Sequence, residues 1–283
     1  MSFVTYLING ISLGSVYALI ALGYTMVYGI AKMLNFAHGD VIMVGAFITY
    51  TICSTAGLSP VLGVVVSIIV CTLLGVLIEK VAYRPLRKAS SPLAVLITAI
   101  GVSYLLQNVA LLIFGANAKA FTSVVPVAPV KLANGQINIT GETIVTILSC
   151  LVIMAGLMLF INKTKAGQAM LAVSEDKGAA QLMGINVDGT IALTFAIGSA
   201  LAAVAGVLLC SAYPSLTPYT GSMPGIKAFV AAVFGGIGSI PGAFIGGILL
   251  GIIEIFGKAY ISSQMADAIV FAVLIVVRLV KPS

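Results

Sequence analysis

Apolar positions in this chain continue without the interruptions that a water-facing surface requires. No charged residue precedes Lys32, and beyond it charges fall mostly in short islands between long apolar runs. The runs cover residues 3–31, 41–56, 61–83, 93–114, 143–162, 191–213, 224–257 and 265–280. A bilayer is crossed by about 20 residues of apolar helix. Backbone groups in lipid must be satisfied within their own segment, so each run is predicted to be helical. The pattern predicts eight spans, or nine if the broken segment 224–257 crosses twice or re-enters. Alternating strands of about ten residues, the mark of a membrane β-barrel, do not occur. The expected fold is therefore all-α, a single polytopic transmembrane bundle over residues 1–283.

Composition closes off the soluble alternative. Hydrophobic residues make up 60% of the chain and charged residues 8%, against roughly 25% charged in a soluble domain. Mean hydropathy is +1.19. The first run lacks a basic leader and is too long for a signal peptide, so it is read as a span. The net charge of +6 reflects orientation. Lys80, Arg84, Arg87 and Lys88 crowd the third connection, and Lys163, Lys165 and Lys177 the fifth. These share a side by parity, and the positive-inside rule makes that side cytoplasmic, with the N-terminus outside. Lys119 and Lys131 oppose this weakly. Arg278 and Lys281 favour a cytoplasmic C-terminus, which requires segment 224–257 to turn back. No basic stripe with interleaved aromatics exists, so nucleic acid is not an expected partner. Cys53, Cys71, Cys150 and Cys210 fall in or beside apolar runs and read as small buried hydrophobes.

Two polar connections stand out. Residues 115–141 contain Val125-Pro126, Pro129, Asn134-Gly135 and Asn138, and read as an external loop with a hairpin turn at Asn134-Gly135. Residues 162–188 form a cytoplasmic connection rich in Ala, Leu, Met and Gln that favours helix. Ser174 is the expected N-cap, Glu175 and Asp176 occupy the first turn, and Gly184 is the expected terminator. The predicted helix is 175–183, preceded by a helical stretch over 166–173. Together they make an elbow showing Ala172, Ala179, Ala180, Leu182 and Met183. It exceeds the usual connection of a few residues, so it is expected to dock on a partner.

Glycines form two small-residue ridges that allow close helix approach. One is Gly10, Gly14 and Ala18; the other is Gly238, Gly242 and Gly246, with Gly247 and Gly251 beside it. Gly235, Gly236, Gly238, Pro241 and Gly242 also break the helix, and a break at membrane depth is tolerated only beside protein or a water-filled path. The segment holding Asn35, His38, Gly39 and Asp40 reads as a corresponding break in the first half. Paired interruptions point to a transport path, so Asn35, His38, Asp40, Gly236, Gly238, Pro241, Gly242 and Glu254 are its candidates.

No catalytic constellation is present, and no enzyme activity, metal or cofactor is expected. The single histidine excludes HExxH zinc chemistry. The string at residues 251–259 has five residues between its glycines where a P-loop has about four. It also carries Ala259 where Ser or Thr must reach magnesium, so ATP is not bound here. An aspartyl pair of Asp40 and Asp267 has no support in spacing. Asp40 reads mainly as a cap of the second span and His38 as a group at headgroup level or in the path. Glu254 is open between structural and functional roles. Tyr17, Tyr24 and Tyr28 read as packing or interface residues.

Three separated motifs resemble one family: LGYTMVYGIAKMLNFAHGDVIMVGAF (22–47), AVSEDKGAAQLMGINV (172–187) and VFGGIGSIPGAFIGGILLGIIE (233–254). They are similar to permeases of branched-chain amino-acid ABC importers, the LivH-like half, over residues 8–280. The resemblance implies a multi-pass protein of the bacterial cytoplasmic (inner) membrane. It further implies two cytoplasmic ATPase subunits, a second LivM-like permease and a periplasmic or extracellular substrate-binding protein. The elbow at 172–185 would correspond to the ATPase-coupling region. It departs from the family at Gln168 and Leu171, where relatives often carry arginine. The implied activity is alternating-access import of Leu, Ile or Val, with urea and short amides as alternatives within the family. An ATP-independent transporter or channel would fit the same lipid-embedded pattern. It would need a mid-membrane coupling carboxylate, for which Glu254 is the candidate, and would have no use for the elbow.

Overall fold

The computed structural model describes residues 2–88, 92–125, 127–132 and 137–280 of the chain. Eleven α-helices are formed among them: α1 (Ser2–Ala31), α2 (His38–Tyr50), α3 (Pro60–Ile78), α4 (Pro92–Phe114), α5 (Gly141–Lys163), α6 (Lys165–Glu175), α7 (Lys177–Leu182), α8 (Val187–Ala212), α9 (Ser222–Gly235), α10 (Ile240–Tyr260) and α11 (Ala266–Val280). Six of these, α1, α3, α4, α5, α8 and α10, are long and apolar enough to cross a membrane, whereas α9 and α11 are shorter apolar helices. The second predicted span is the 13-residue α2 lengthened by a π-helical turn, Thr51–Thr55.

Helix starts follow local chemistry. Ser59, Thr140, Asn186 and Ser239 each accept a bond from a backbone N–H three residues on, which satisfies a donor the first turn leaves open. Proline follows Ser59 at the start of α3, where its missing N–H costs nothing.

The burial pattern is set by lipid. α1 and α8 occupy the centre, and Leu19, Ile20, Leu22, Ala202 and Ala205 are fully enclosed. α3, α4 and α5 surround them and turn large apolar side chains outward; Leu112, for example, is 87% exposed. In water such a surface would aggregate, whereas in hydrocarbon it costs nothing to leave exposed.

Close approaches fix the helix directions. The α1 ridge faces α10: a Cβ on Gly10 would lie 2.9 Å from the Ile252 Cα, and one on Gly14 would lie 2.7 Å from the Ile248 Cα. Ala18 meets Gly247, so the two helices run antiparallel, backbone against backbone. Gly246 packs on Ala231 and Gly242 on Gly235, which turns α9 back along α10. Gly257 meets Ile269 across the next turn, so α11 runs parallel to α1. The broken segment therefore reverses direction, as a shared side for Ala31 and the end of α11 requires. The end of the bundle beyond Ala31 also gathers Lys32, Arg84, Arg87 and Lys177; Tyr83 donates to the Leu34 carbonyl and Lys177 to that of Ala31.

At the opposite end, β2 (Val130–Leu132) and β3 (Ile137–Ile139) pair antiparallel, with Val130 opposite Ile139. This is the expected hairpin; its turn Asn134-Gly135, and Pro126, lie outside the described residues. Strands β1 (Lys119–Ala120) and β4 (Ser215–Leu216) pair and tie this loop to the α8–α9 connection.

Candidate functional site

The elbow consists of two short helices, and its internal boundary differs from expectation. Thr164 caps α6 by accepting from the Gly167 N–H at 3.0 Å. Asp176, not Ser174, is the cap of α7, and its Oδ1 accepts from Gly178 N–H at 2.7 Å and Ala179 N–H at 3.0 Å. Ser174 lies within α6 and donates back to the Leu171 carbonyl at 2.7 Å, while Glu175 ends that helix. Asp176 wins because its carboxylate reaches two N–H groups while its extended backbone breaks the α6 ladder. Gly184 takes φ +82° after Met183, a left-handed terminator as expected. Ala180 is buried, contrary to expectation, because it faces inward on α7. Ala179 is exposed and Ala172 half-buried, while Leu182 and Met183 are 90% and 82% exposed at the tip.

The elbow is anchored to the bundle by polar ties. Gln168 donates to the Asn162 carbonyl at 3.0 Å and so closes the end of α5. Lys177 Nζ donates to the Ala31 carbonyl at 2.8 Å; burial, aided by Arg87 and Lys32, holds its pKa below the ordinary lysine range. Arg87 bridges the buried Glu79, beyond the end of α3, to Asp188 in the first turn of α8. Arg84 pairs with the same Glu79 at 3.0 Å. Sequence reading took these arginines only as orientation charges; their spacing from Glu79 was the missed signal.

The first break spans residues 32–37. Asn35 is buried and accepts from the Tyr83 hydroxyl at 3.0 Å. His38 is enclosed by the bundle: it is 1% exposed, against the Tyr24 ring at 4.7 Å, and its Nε2 has no hydrogen-bond partner among the described residues. Asp40 is not a cap either. Ala37 holds that position without a side-chain bond, and Asp40 projects from the first turn of α2 into the bundle. Its Oδ1 accepts from Gln107 Nε2 at 2.8 Å, and Gln107 lies 3.3 Å from the Ser222 hydroxyl. These groups, with Tyr24, Phe36, Ile100 and Ile226, line a cavity of about 210 Å³ between α4 and α9.

The second break joins α9 to α10. Gly236 and Gly238 take φ +91° and +100°, which side chains rarely adopt. Ser239 then caps α10 at 3.2 Å from Gly242 N–H, with Pro241 in the first turn. A Cβ on Gly29 of α1 would lie 3.3 Å from the Gly238 Cα. Thr25, Ile30, Met170, Ser174 and Gly238 line a second cavity of about 400 Å³, toward the basic end. α9 links the breaks, since Gly225 packs on Gly39 and the Phe229 ring lies tilted against both Tyr24 and Phe36.

Glu254 is buried in a charge cluster. It accepts from the Tyr17 hydroxyl at 2.8 Å, from Lys227 at 2.9 Å and from Lys258 at 2.6 Å. Lys227 also pairs with Asp267 at 2.6 Å. Asp40 and Asp267 thus belong to different clusters. Lys227 was not among the expected site residues, although a lysine inside an apolar run is itself a signal.

Lipid-facing helices around a twice-broken, polar-lined interior define a multi-pass membrane transport permease. The comparisons make this specific: the chain belongs to the family described as "Branched-chain amino acid transport system / permease component", whose model matches residues 6–278. It is 45% identical over 300 residues to the high-affinity branched-chain amino acid transport system permease protein LivH of Escherichia coli K12, covering 99% of this chain and 94% of that one. It is 46% identical over 292 residues to the corresponding permease protein BraD of Pseudomonas aeruginosa, again covering 99% and 94%. A chain of PsaBC from Streptococcus pneumoniae, solved in complex with Fab, shares the fold at TM-score 0.51 and 14% identity, covering 97% of this chain and 90% of that one.

Proposed function

We propose that this chain is a membrane-spanning subunit of an importer that carries leucine, isoleucine or valine inward, driven by two separate cytoplasmic ATPase subunits. A second permease and an external substrate-binding protein complete the assembly, in a bacterial inner membrane. The observation that carries this reading is the elbow tip. Leu182 and Met183 stand 90% and 82% exposed on a capped helix at the basic end, which the positive-inside rule makes cytoplasmic. Two large apolar side chains in water there fit an ATPase groove. The ties from Lys177 to α1 and from Arg87 to Glu79 and Asp188 give the elbow rigid connections to the spanning helices. The names of the full-length relatives supply the substrate class. The two breaks, with Asn35, His38, Asp40, Gly236, Gly238, Pro241 and Gly242, border the path. Glu254 is a structural anchor, since Lys227 and Lys258 leave it no free charge for ion coupling.

The test is co-purification from native membranes of tagged wild-type chain and of Leu182→Asp and Met183→Asp. Wild type should bring a nucleotide-binding subunit, and each variant should lose most of it while keeping its own melting temperature. Retention of the ATPase by both variants would refute the coupling role.

A further inference from the structure

Among the described residues, three carboxylates are enclosed by the bundle: Glu79, Glu254 and Asp40. Two of them are neutralised. Glu79 lies between Arg84 and Arg87, and Glu254 between Lys227 and Lys258. Asp40 has only neutral donors, principally Gln107, and no described cation lies within ion-pair distance. The N-terminus of α2 contributes the equivalent of about half a positive charge, which leaves the carboxylate incompletely compensated. An enclosed charge without a counter-charge costs several kcal/mol, so such a group persists in a membrane protein where something else completes it.

Asp40 also faces space. The cavity of about 210 Å³ beside it is lined by Ser103 and Ser222 together with Phe36, Ile100 and Ile226. Ile100 and Ile226 are both 42% exposed, so the cavity is bounded there by side chains that also reach the surface of the chain. A cavity lined by a carboxylate, two hydroxyls and branched apolar side chains complements a small molecule with an ammonium group and an aliphatic tail.

We propose that this cavity is a transit site, where Asp40 receives the α-ammonium group of the passing amino acid and Phe36, Ile100 and Ile226 receive its branched side chain. The site rests on the importer reading given above. It holds the substrate by a charge that no described residue pairs, and Gln107 keeps the empty carboxylate oriented between passages.

The experiment is leucine uptake into proteoliposomes containing the whole transporter with its binding protein and ATPases. Asp40→Asn keeps the shape and removes the charge; it should lower the maximal rate by about tenfold or more, because the lost interaction meets the substrate in passage. Melting temperature and ATPase co-purification should be unchanged. Asp40→Glu keeps the charge and should restore a clear fraction of the rate. Ile226→Trp fills the cavity from its lining, leaves Asp40 in place, and should block uptake in the same way. Asp40→Asn uptake within about twofold of wild type would overturn the site, since a buried counter-charge is worth far more. Equal loss in Asp40→Asn and Asp40→Glu would overturn it too, as would unimpaired uptake with Ile226→Trp. Failure of the wild-type assembly to take up any branched-chain amino acid would refute the importer reading instead, and the site would fall with it.

Discussion

Replacing Glu254 by glutamine tests whether the charge cluster is an enclosed structural anchor. The carboxylate is 1% exposed and collects three donors, from Tyr17, Lys227 and Lys258, at 2.6–2.9 Å. A hydrogen bond to a charged group contributes about 1.5–3 kcal/mol. The glutamine carbonyl can still accept from both lysines through its two lone pairs, but without charge; the bond that Tyr17 donates is lost, and Lys227 keeps only the half-exposed Asp267 as an ion-pair partner. The expected destabilisation is about 3–5 kcal/mol, in line with breaking one side of a buried ion pair. At about 2–4 °C per kcal/mol, the melting temperature of the detergent-solubilised chain should fall by about 6 °C or more. Adding Lys227→Met to the same chain removes the stranded cation and should recover a substantial part of that loss. A shift of under about 2 °C in the single variant would refute the reasoning, because it would mean the cluster is already hydrated.

Three further substitutions probe backbone geometry. Gly251→Leu should abolish folded yield in size-exclusion profiles, since its side chain would start inside the Gly14 backbone. Gly156→Ala in α5 meets nothing and should raise stability by up to about 1 kcal/mol. Gly238→Ala keeps free space around it but must hold φ +100°, so a cost of about 1–3 kcal/mol should appear as a lower melting temperature and slower uptake.

Apolar run length predicted the six long spans, because lipid imposes one rule on every backbone group and the rule is local, whereas runs 41–56 and 265–280 and the first part of 224–257 form shorter helices than expected. For the same reason α4 begins and ends within a few residues of its expected limits, at Pro92–Phe114, while α10 starts at Ile240, well inside the expected run 224–257, because the glycine break precedes it. Gly236 and Gly238 were legible as a break, and Gly184 as a terminator, because positive φ selects glycine wherever it occurs. The ridge of Gly10, Gly14 and Ala18 was legible as a contact surface, though not its partner on α10.

Burial direction and long-range pairing depended on the tertiary structure. Asp40 and Ser174 resembled caps because cap residues share a composition, yet only the fold shows Asp40 facing Gln107, 67 residues away, and Ser174 bonded within its own helix. Glu254 became a neutralised anchor when α9 folded back to bring Lys227 beside it, and Arg87 became a bridge when α8 placed Asp188 within reach. The sequence by itself determined that the chain lives in lipid and where its helices break, because these depend on neighbours a few residues apart. The tertiary structure decided which buried charges are matched and which is left facing a cavity, because Coulomb pairing depends on distance in space and not along the chain.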